Sequence, residues 1–338
     1  MLYFLLTKLC AIDHMYQYSL DSFTSFFLKS IGKAVPAEKL EDRVVNLVAA
    51  LRMTIFTWVA RGLFERHKLI FLAQLTFNLM KRGILGEDNK MNEIHFSFLM
   101  RGPKKIGEEN PIDWLPVTAW QACLALGDLE EFSKFTSDLV EAAPRFREWY
   151  NHVTPELEKL PLDWSSLDRT PFQKALVVRC LRPDRMTTTL MNFIRNTLPN
   201  GNAYADCDGS LNALEILDQS YLDSTPTTPI YFILSPGANV VGDLDKMAEK
   251  YGFEKGTSYF NVSMGQGQDK IAMANLESAH RNGSWVILNN VHLMPSWLGE
   301  LEKKLDIFAL EGSHAKVDSV VARSGSRARH VASAARSH

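Results

Sequence analysis

Apolar residues over the first 160 positions recur at intervals of three and four, the period of helices that turn one face inward. "YQYSLDSFTSFFLKSIGKA" places Leu20, Phe23, Phe27 and Ile31 on one such face. "GLFERHKLIFLAQLTFNLMKRG" repeats the spacing with Leu69, Leu72, Phe77 and Met80, and Gly83 stands where a C-cap would end the helix. "VVNLVAALRMTIFTWVA" (44–60) is the longest apolar stretch. Arg52 at its middle, and a length short for a bilayer, make it a buried helix. The Pro and Gly content of "MRGPKKIGEENPIDWLP" predicts a loop. Trp58, Trp114, Trp120 and Trp149 are expected to anchor helix packing and not to cage a ligand.

The texture changes beyond "LPLDWSSLDRTPFQ", where Pro161 and Pro171 bound a polar cluster, and a domain boundary is expected at 160–171. "FQKALVVRCL" and "TTTLMNFIRNTL" are helical and separated by Pro183. Three apolar runs then alternate with amphipathic helices: "PIYFIL", "SYFNVSM" and "SWVILNN". Val241, Leu244, Ala248 and Tyr251 share one face of the first intervening helix, and Ala272, Leu276 and Ala279 one of the second. Trp297, Leu301, Leu305 and Phe308 share one of the third, which also offers a Glu300–Lys304 pair. Strands alternating with helices predict a mostly parallel sheet covered on both faces.

Composition narrows the class. The 338 residues suffice for two domains, and 46% hydrophobic with 22% charged residues is a soluble globular balance. A formal charge of −2 gives no global pull toward nucleic acid or an anionic membrane. Cys10, Cys123, Cys180 and Cys207 form no CxxC pair, which fits a reducing compartment with neither zinc knuckle nor disulfide framework. "MLYFLLTKLC" has no basic residue before its apolar run and fails as a signal peptide, so a cytosolic setting is expected.

Strand, glycine turn, helix is how a phosphate-binding loop is built, and "SPGANVVGDL" (235–244) has that frame. Gly237 and Gly242 keep the P-loop interval, and Ser235 and Pro236 precede them. The next two positions should be Lys and Ser or Thr; they are Asp243 and Leu244. A carboxylate repels phosphate, and leucine offers no hydroxyl to Mg²⁺. A tight turn that needs glycine is the plainer account. A second test lies at "WVILNN", an apolar strand that a Walker B site would follow with an acidic pair. Asn289 and Asn290 stand there, and an amide neither holds a hard cation nor takes a proton at neutral pH. Both halves of the site are disarmed in the same direction.

The other candidates read as structure. "MGQGQDK" (264–270) puts Lys270 at the third glycine of a dinucleotide fingerprint and is expected to be a strand-to-helix turn. His280 and His292 have no second ligand at metal spacing and are expected to be satisfied structural histidines. "RPDR" (182–185) is a helix break with Asp184 capping the next helix; nothing local supports an arginine finger at Arg182 or Arg185.

"FQKALVVRCLRPDRM", "TPIYFILSPGA", "VSMGQGQ" and "WVILNNVHLMPSWLGELEK" together resemble the sixth AAA+ module of a dynein heavy chain, with a texture closer to axonemal, outer-arm chains than to the cytoplasmic motor. "IDHMYQYSLDSF" and "RGLFERHKLIF" resemble the helical segment joining the fifth module to the sixth. The resemblance covers roughly residues 1–315. It implies a helical lid or connector over 1–160 and a degenerate AAA+ large domain over 168–315. The fold class is then α/β, a helical N-terminal half followed by an incomplete P-loop parallel sheet with flanking helices. It is incomplete because the family's fourth strand inserts between the first and third. The sequence diverges there, and "VDSVVA" (317–322) is the only apolar candidate left.

The tail 316–338 carries four arginines and no acid after Asp318. It is expected to be disordered or the product of a frame change or misassigned exon.

The resemblance further implies a module that neither binds nor hydrolyses nucleotide, with no cofactor or metal of its own. Six AAA+ modules form one ring in a dynein heavy chain, and ATP and Mg²⁺ act in other modules of the parent. That parent would be an ATP-driven, minus-end-directed microtubule motor of cytoplasm, cytoskeleton and the axoneme of cilia or flagella. Its partners would be neighbouring modules, microtubules, and intermediate, light intermediate and light chains, with no nucleic acid and no membrane. Two other classes stay open: a free-standing P-loop pseudo-ATPase acting as an interaction scaffold, and a nucleic-acid binder using the basic tail.

Overall fold

The computed structural model describes residues 1–86, 89–205, 213–225, 228–234, 239–312 and, for the backbone alone, 318–324. The chain forms two compact units, Met1–Asp208 and Gly209–His338.

The first unit is helical among its described residues: α1 (Leu2–Lys8), α2 (Leu20–Lys33), α3 (Leu40–Gly62), α4 (Glu65–Lys81), α5 (Glu93–Arg101), α6 (Val117–Leu126), α7 (Phe135–Glu141), α8 (Ala143–Asn151), α9 (Pro171–Leu181), α10 (Met186–Thr197) and α11 (Gly201–Ala205). Local chemistry sets the ends. Ser19 caps α2 by accepting the Ser22 N–H at 3.1 Å. Gly83 closes α4 at φ +65°, with Gly83 N–H donating to the Met80 carbonyl and Ile84 N–H to that of Leu79, the two bonds of a Schellman ending.

The apolar N-terminus is absorbed into this unit, since Leu5, Leu6 and Leu9 are buried against α3 and α4 residues. At 23 residues α3 is longer than the expected 44–60 and, by length and composition, would reach across a membrane. Its second half packs instead, with Arg52, Ile55, Phe56 and Val59 buried. The face expected to turn inward on α2 does not do so. Leu20 is 58% and Phe27 42% exposed, whereas Phe26 and Ser30 are buried and Phe26 stacks on Trp58 at 4.1 Å. Trp120 and Trp149 are core residues, and Trp58 and Trp114 pack at its edge.

The expected break at 160–171 is not where the units divide. Leu160 and Leu167 are buried in the same core as Leu176, Val177 and Cys180 of α9. Lys174 ties the segment down by donating to Asp168 at 2.6 Å and to the Glu158 carbonyl at 2.8 Å. Two prolines mark a change of direction inside one core, and α9 and α10 stay with the preceding helices.

The second unit layers helices on both sides of a sheet. The strands are β1 (Ile230–Leu234), β2 (Tyr259–Ser263), β3 (Trp285–Asn289) and β4 (Asp318–Ser324); the helices are α12 (Ala213–Asp223), α13 (Val241–Lys250), α14 (Asp269–Asn282) and α15 (Pro295–Glu311). All pairings are parallel and the order is β1-β4-β3-β2. The helical half, parallel sheet and flanking helices are as expected, but the gap between β1 and β3 is filled. Residues 318–324, expected to be tail, form β4, with Ile230 opposite Val320 and Trp285 opposite Asp318. A short Ser/Val run is enough because each neighbour supplies a full ladder of backbone partners. The rest of the tail, 325–338, lies outside the described residues.

β3 is buried on both sides and reads as an unbroken apolar run. Trp285 and Ile287 join Leu217, Leu244, Met247 and Ala248 on one face. Val286 and Leu288 join Ala272, Leu276, Trp297 and Leu301 on the other. The expected Glu300–Lys304 pair is replaced by a pair across helices, with Lys304 Nζ 2.6 Å from Glu277 Oε1 of α14.

Candidate functional site

Parallel strands place their C-terminal ends and the following turns on one edge, where a P-loop and a Walker B pair would meet. Ser235, Pro236 and Gly237 lie outside the described residues. Past them, Asn239 and Val240 lead into α13, so Gly242 and Asp243 occupy its first turn. The Asp243 and Leu244 N–H groups donate to the Val240 carbonyl at 3.1 and 2.9 Å, and the Gly242 N–H points at Asn239 Oδ1 at 3.5 Å. Gly242 is helical, and a Cβ on it would meet no described atom closer than 3.8 Å. The expected need for glycine in a tight turn therefore does not arise at Gly242.

Asp243 occupies the place of the P-loop lysine. Its side chain is 32% exposed and lies 3.7 Å from Lys246. A carboxylate in the first turn interacts favourably with the partial positive charge of the helix N-terminus, the feature that in a working P-loop serves phosphate. Leu244 is fully buried in the core under the sheet and offers nothing to a ligand.

At the end of β3 the two amides turn to the neighbouring strand. Asn289 Nδ2 donates to Asn261 Oδ1 of β2, and the Asn289 carbonyl accepts the Met264 N–H at 2.8 Å. Asn290 takes left-handed backbone angles, φ 59° and ψ 31°, which asparagine tolerates better than most residues with a side chain. Its Nδ2 lies 3.5 Å from Ser263 Oγ, and its carbonyl accepts the Leu293 N–H at 2.9 Å. The amides thus tie β3 to β2 and start a turn without bringing charge. No cluster of three or more His, Cys, Asp or Glu able to hold a metal occurs among the described residues.

The remaining candidates resolve one by one. Residues 264–268 do form a strand-to-helix turn, with Gly267 at φ +78°. His280 stacks on Phe308 at 4.1 Å and lies 3.5 Å from Glu311. The expectation of a satisfied His292 fails among the described residues, where its buried Nδ1 has no hydrogen-bond partner. Asp184 does not cap α10; it accepts from Arg182 Nε at 2.9 Å and Nη2 at 2.8 Å. Arg185 donates to the buried Glu156 at 2.5 and 3.0 Å. Both arginines are engaged within the unit and neither is presented as a finger.

Two carboxylates that pin the layers around the sheet stand out only in the fold. Asp218 accepts Lys250 Nζ at 2.9 Å and Tyr251 Oη at 2.8 Å, and these bonds hold its carboxyl below the usual range. Asp245 accepts Lys255 at 2.7 Å and Tyr259 Oη at 2.9 Å. Burial pushes its pKa up, but the bonds from Lys255 and Tyr259 outweigh burial and leave it lowered. Burial, then the bond to Asp218, pushes the Tyr251 phenol up to about 12. Their only trace in the sequence is an acid near tyrosine and lysine that meet it through the fold.

Comparison with known proteins bears on this edge directly. Residues 225–320 match the dynein heavy chain region D6 P-loop domain. The chain is 39% identical over 316 residues to human dynein axonemal heavy chain 17, covering 93% of this chain and 7% of that protein. It is 37% identical over 332 residues to the flagellar outer arm dynein beta chain of Chlamydomonas reinhardtii, covering 92% of this chain, and 37% identical to the ciliary dynein beta chain of Heliocidaris crassispina, covering 93%. The chain spans about 7% of the length of each of these relatives.

Proposed function

Because the chain belongs to the dynein heavy chains, of the axonemal type, we propose that it forms part of the motor ring of such a protein and serves there as a non-hydrolysing structural AAA+ module. One observation carries this assignment. β1 and α13 supply the strand and helix of such a frame, yet Asp243, Asn289 and Asn290 fill the charge-bearing positions and all three are used within the fold. An anion arriving at α13 meets a carboxylate, and a metal ion arriving at β3 meets amides already bonded to β2.

In this role the helical residues 1–160 act as lid and connector of the fifth module, and the sheet belongs to the large domain of the sixth. The packed frame transmits rigid-body shifts between neighbouring modules, which are its immediate partners. The segment needs no cofactor or metal. ATP and Mg²⁺ act elsewhere in the parent, an ATP-driven, minus-end-directed microtubule motor of the axoneme that works with intermediate, light intermediate and light chains.

Two measurements test the proposal. A long-read transcript of the locus should carry the reading frame on for thousands of bases upstream; a promoter and start codon serving Met1 alone would instead make this a separate protein. The purified chain should release no phosphate from Mg-ATP above a no-protein blank, and turnover abolished by Asn289→Ala would contradict the structural role.

A further inference from the structure

We propose that the helical unit binds a small organic phosphate in the cleft between the end of α5, the start of α6 and the last turn of α9. The cleft has a volume of about 350 Å³, in the range of small-ligand pockets. Phe98, Ala119 and Leu181 give it an apolar wall, and Lys104 and Arg179 give it charge. The site is independent of the strand edge described above.

Arg179 is the exceptional residue of α9. Lys174 to Val178, Cys180 and Leu181 are all buried, and Arg179 is the half-buried position that lines the cleft. The basic side chains around it are neutralised: Lys174 by Asp168, Arg182 by Asp184 and Arg185 by Glu156, at 2.5–2.8 Å. Among the described residues Arg179 has no such carboxylate and no hydrogen-bond acceptor for its guanidinium. The backbone is nonetheless shaped around it. Gly102 ends α5 at φ 56° and ψ 58°, and a Cβ there would lie 2.5 Å from Arg179 Nη2 and 3.1 Å from Cζ. Any other residue at 102 would therefore displace the guanidinium.

Lys104 follows on the same loop and also has no carboxylate partner among the described residues. The acid that lines the cleft, Asp184, is already held by Arg182 and does not neutralise the pair. Cys180 lines it too, but burial pushes its thiol up to about 12, so it brings no thiolate charge at neutral pH.

Two unneutralised cations beside one recess favour an anion between them. The arginine fork matches two phosphate oxygens, and the lysine adds a point charge on a third. A bare phosphate would leave the Phe98 and Leu181 wall empty, so the fitting ligand is a phosphomonoester with a small apolar body.

The test is calorimetric titration of the full chain at constant ionic strength with phenyl phosphate, inorganic phosphate and a tetraglutamate peptide. Phenyl phosphate should bind most tightly, with inorganic phosphate weaker. Arg179→Gln should weaken phenyl phosphate binding about tenfold or more, the scale of a lost charge-assisted pair. Lys104→Ala, on an exposed loop, should weaken it several-fold with an unchanged circular dichroism melt, which separates loss of the ligand from loss of the fold. No binding at millimolar phenyl phosphate, or unchanged affinity in both variants, would overturn the proposal. Tighter binding of the peptide would replace the small ligand with an acidic protein segment.

Discussion

Two turns follow buried apolar runs in this chain, and they use polar residues in opposite ways. After the α9 run "ALVVRCL" come Arg182, Asp184 and Arg185, all charged and all paired inside the helical unit. After the β3 run "WVIL" come Asn289 and Asn290, both uncharged and bonded to β2 or the following turn. Charge is spent on structure in the first turn and left out of the second. A polar residue at the end of a buried element is thus no evidence of chemistry until its partners are known.

The comparison supposes that the two apolar runs are equally committed to their cores. Leu176→Ala in α9 and Leu288→Ala in β3 should each lower unfolding stability by about 2–5 kcal/mol, since both side chains are fully buried. Chemical denaturation measures this, and a loss below about 1 kcal/mol at either site would break the symmetry.

The next test separates the charged turn from the uncharged one by pH. Burial acts to raise the Glu156 pKa, but the hydrogen bonds and charge of Arg185 outweigh it and leave it lowered. A carboxylate whose pKa is lower folded than unfolded adds stability above the ordinary glutamate value, and that stability fades as pH falls through the folded value. Glu156→Gln should therefore be less stable than the parent at pH 7, with the gap narrowing in acid. A gap that widened on acidification would contradict the pairing. Asn289→Ala and Asn290→Ala should show no comparable pH dependence.

The smallest effect concerns the left-handed residue. Asn290→Ala should cost about 1 kcal/mol, because alanine lacks the local tolerance for φ 59°, and Asn290→Gly should cost a few tenths or less. A larger loss with glycine than with alanine would show that the amide's contacts matter more than its backbone.

The elements of the sheet were largely legible in the sequence because burial on two faces writes long apolar runs and burial on one face writes a clear helical period. β1, β2, β3 and the faces of α13, α14 and α15 followed from those patterns. β4 did not, since "DSVVARS" derives its place from two flanking strands and carries little apolar signal of its own. The inward face of α2 is not legible in the sequence, because Leu20, Phe27 and Ile31 are apolar yet exposed, while Ser30 is buried. Prolines at 161 and 171 suggested a boundary that Leu160, Leu167 and Lys174 close by packing. At the site, Asp243, Asn289 and Asn290 could be named from spacing alone. Their partners Asn261 and Val240, and the partnerless His292, could not, because strand register and turn geometry decide them.

The central claim is that the nucleotide frame at the sheet edge is empty of function because its charges are missing. Calorimetric titration of the full chain with ATP, with and without Mg²⁺, tests it most directly when repeated in Arg179→Gln, which weakens any phosphate signal from the helical cleft. The account predicts no Mg²⁺-dependent heat in either protein and, in Arg179→Gln, no rise in melting temperature with millimolar Mg-ATP. Micromolar, Mg²⁺-dependent binding that persists in Arg179→Gln and vanishes when Asn289 and Asn290 are replaced by alanine would contradict it.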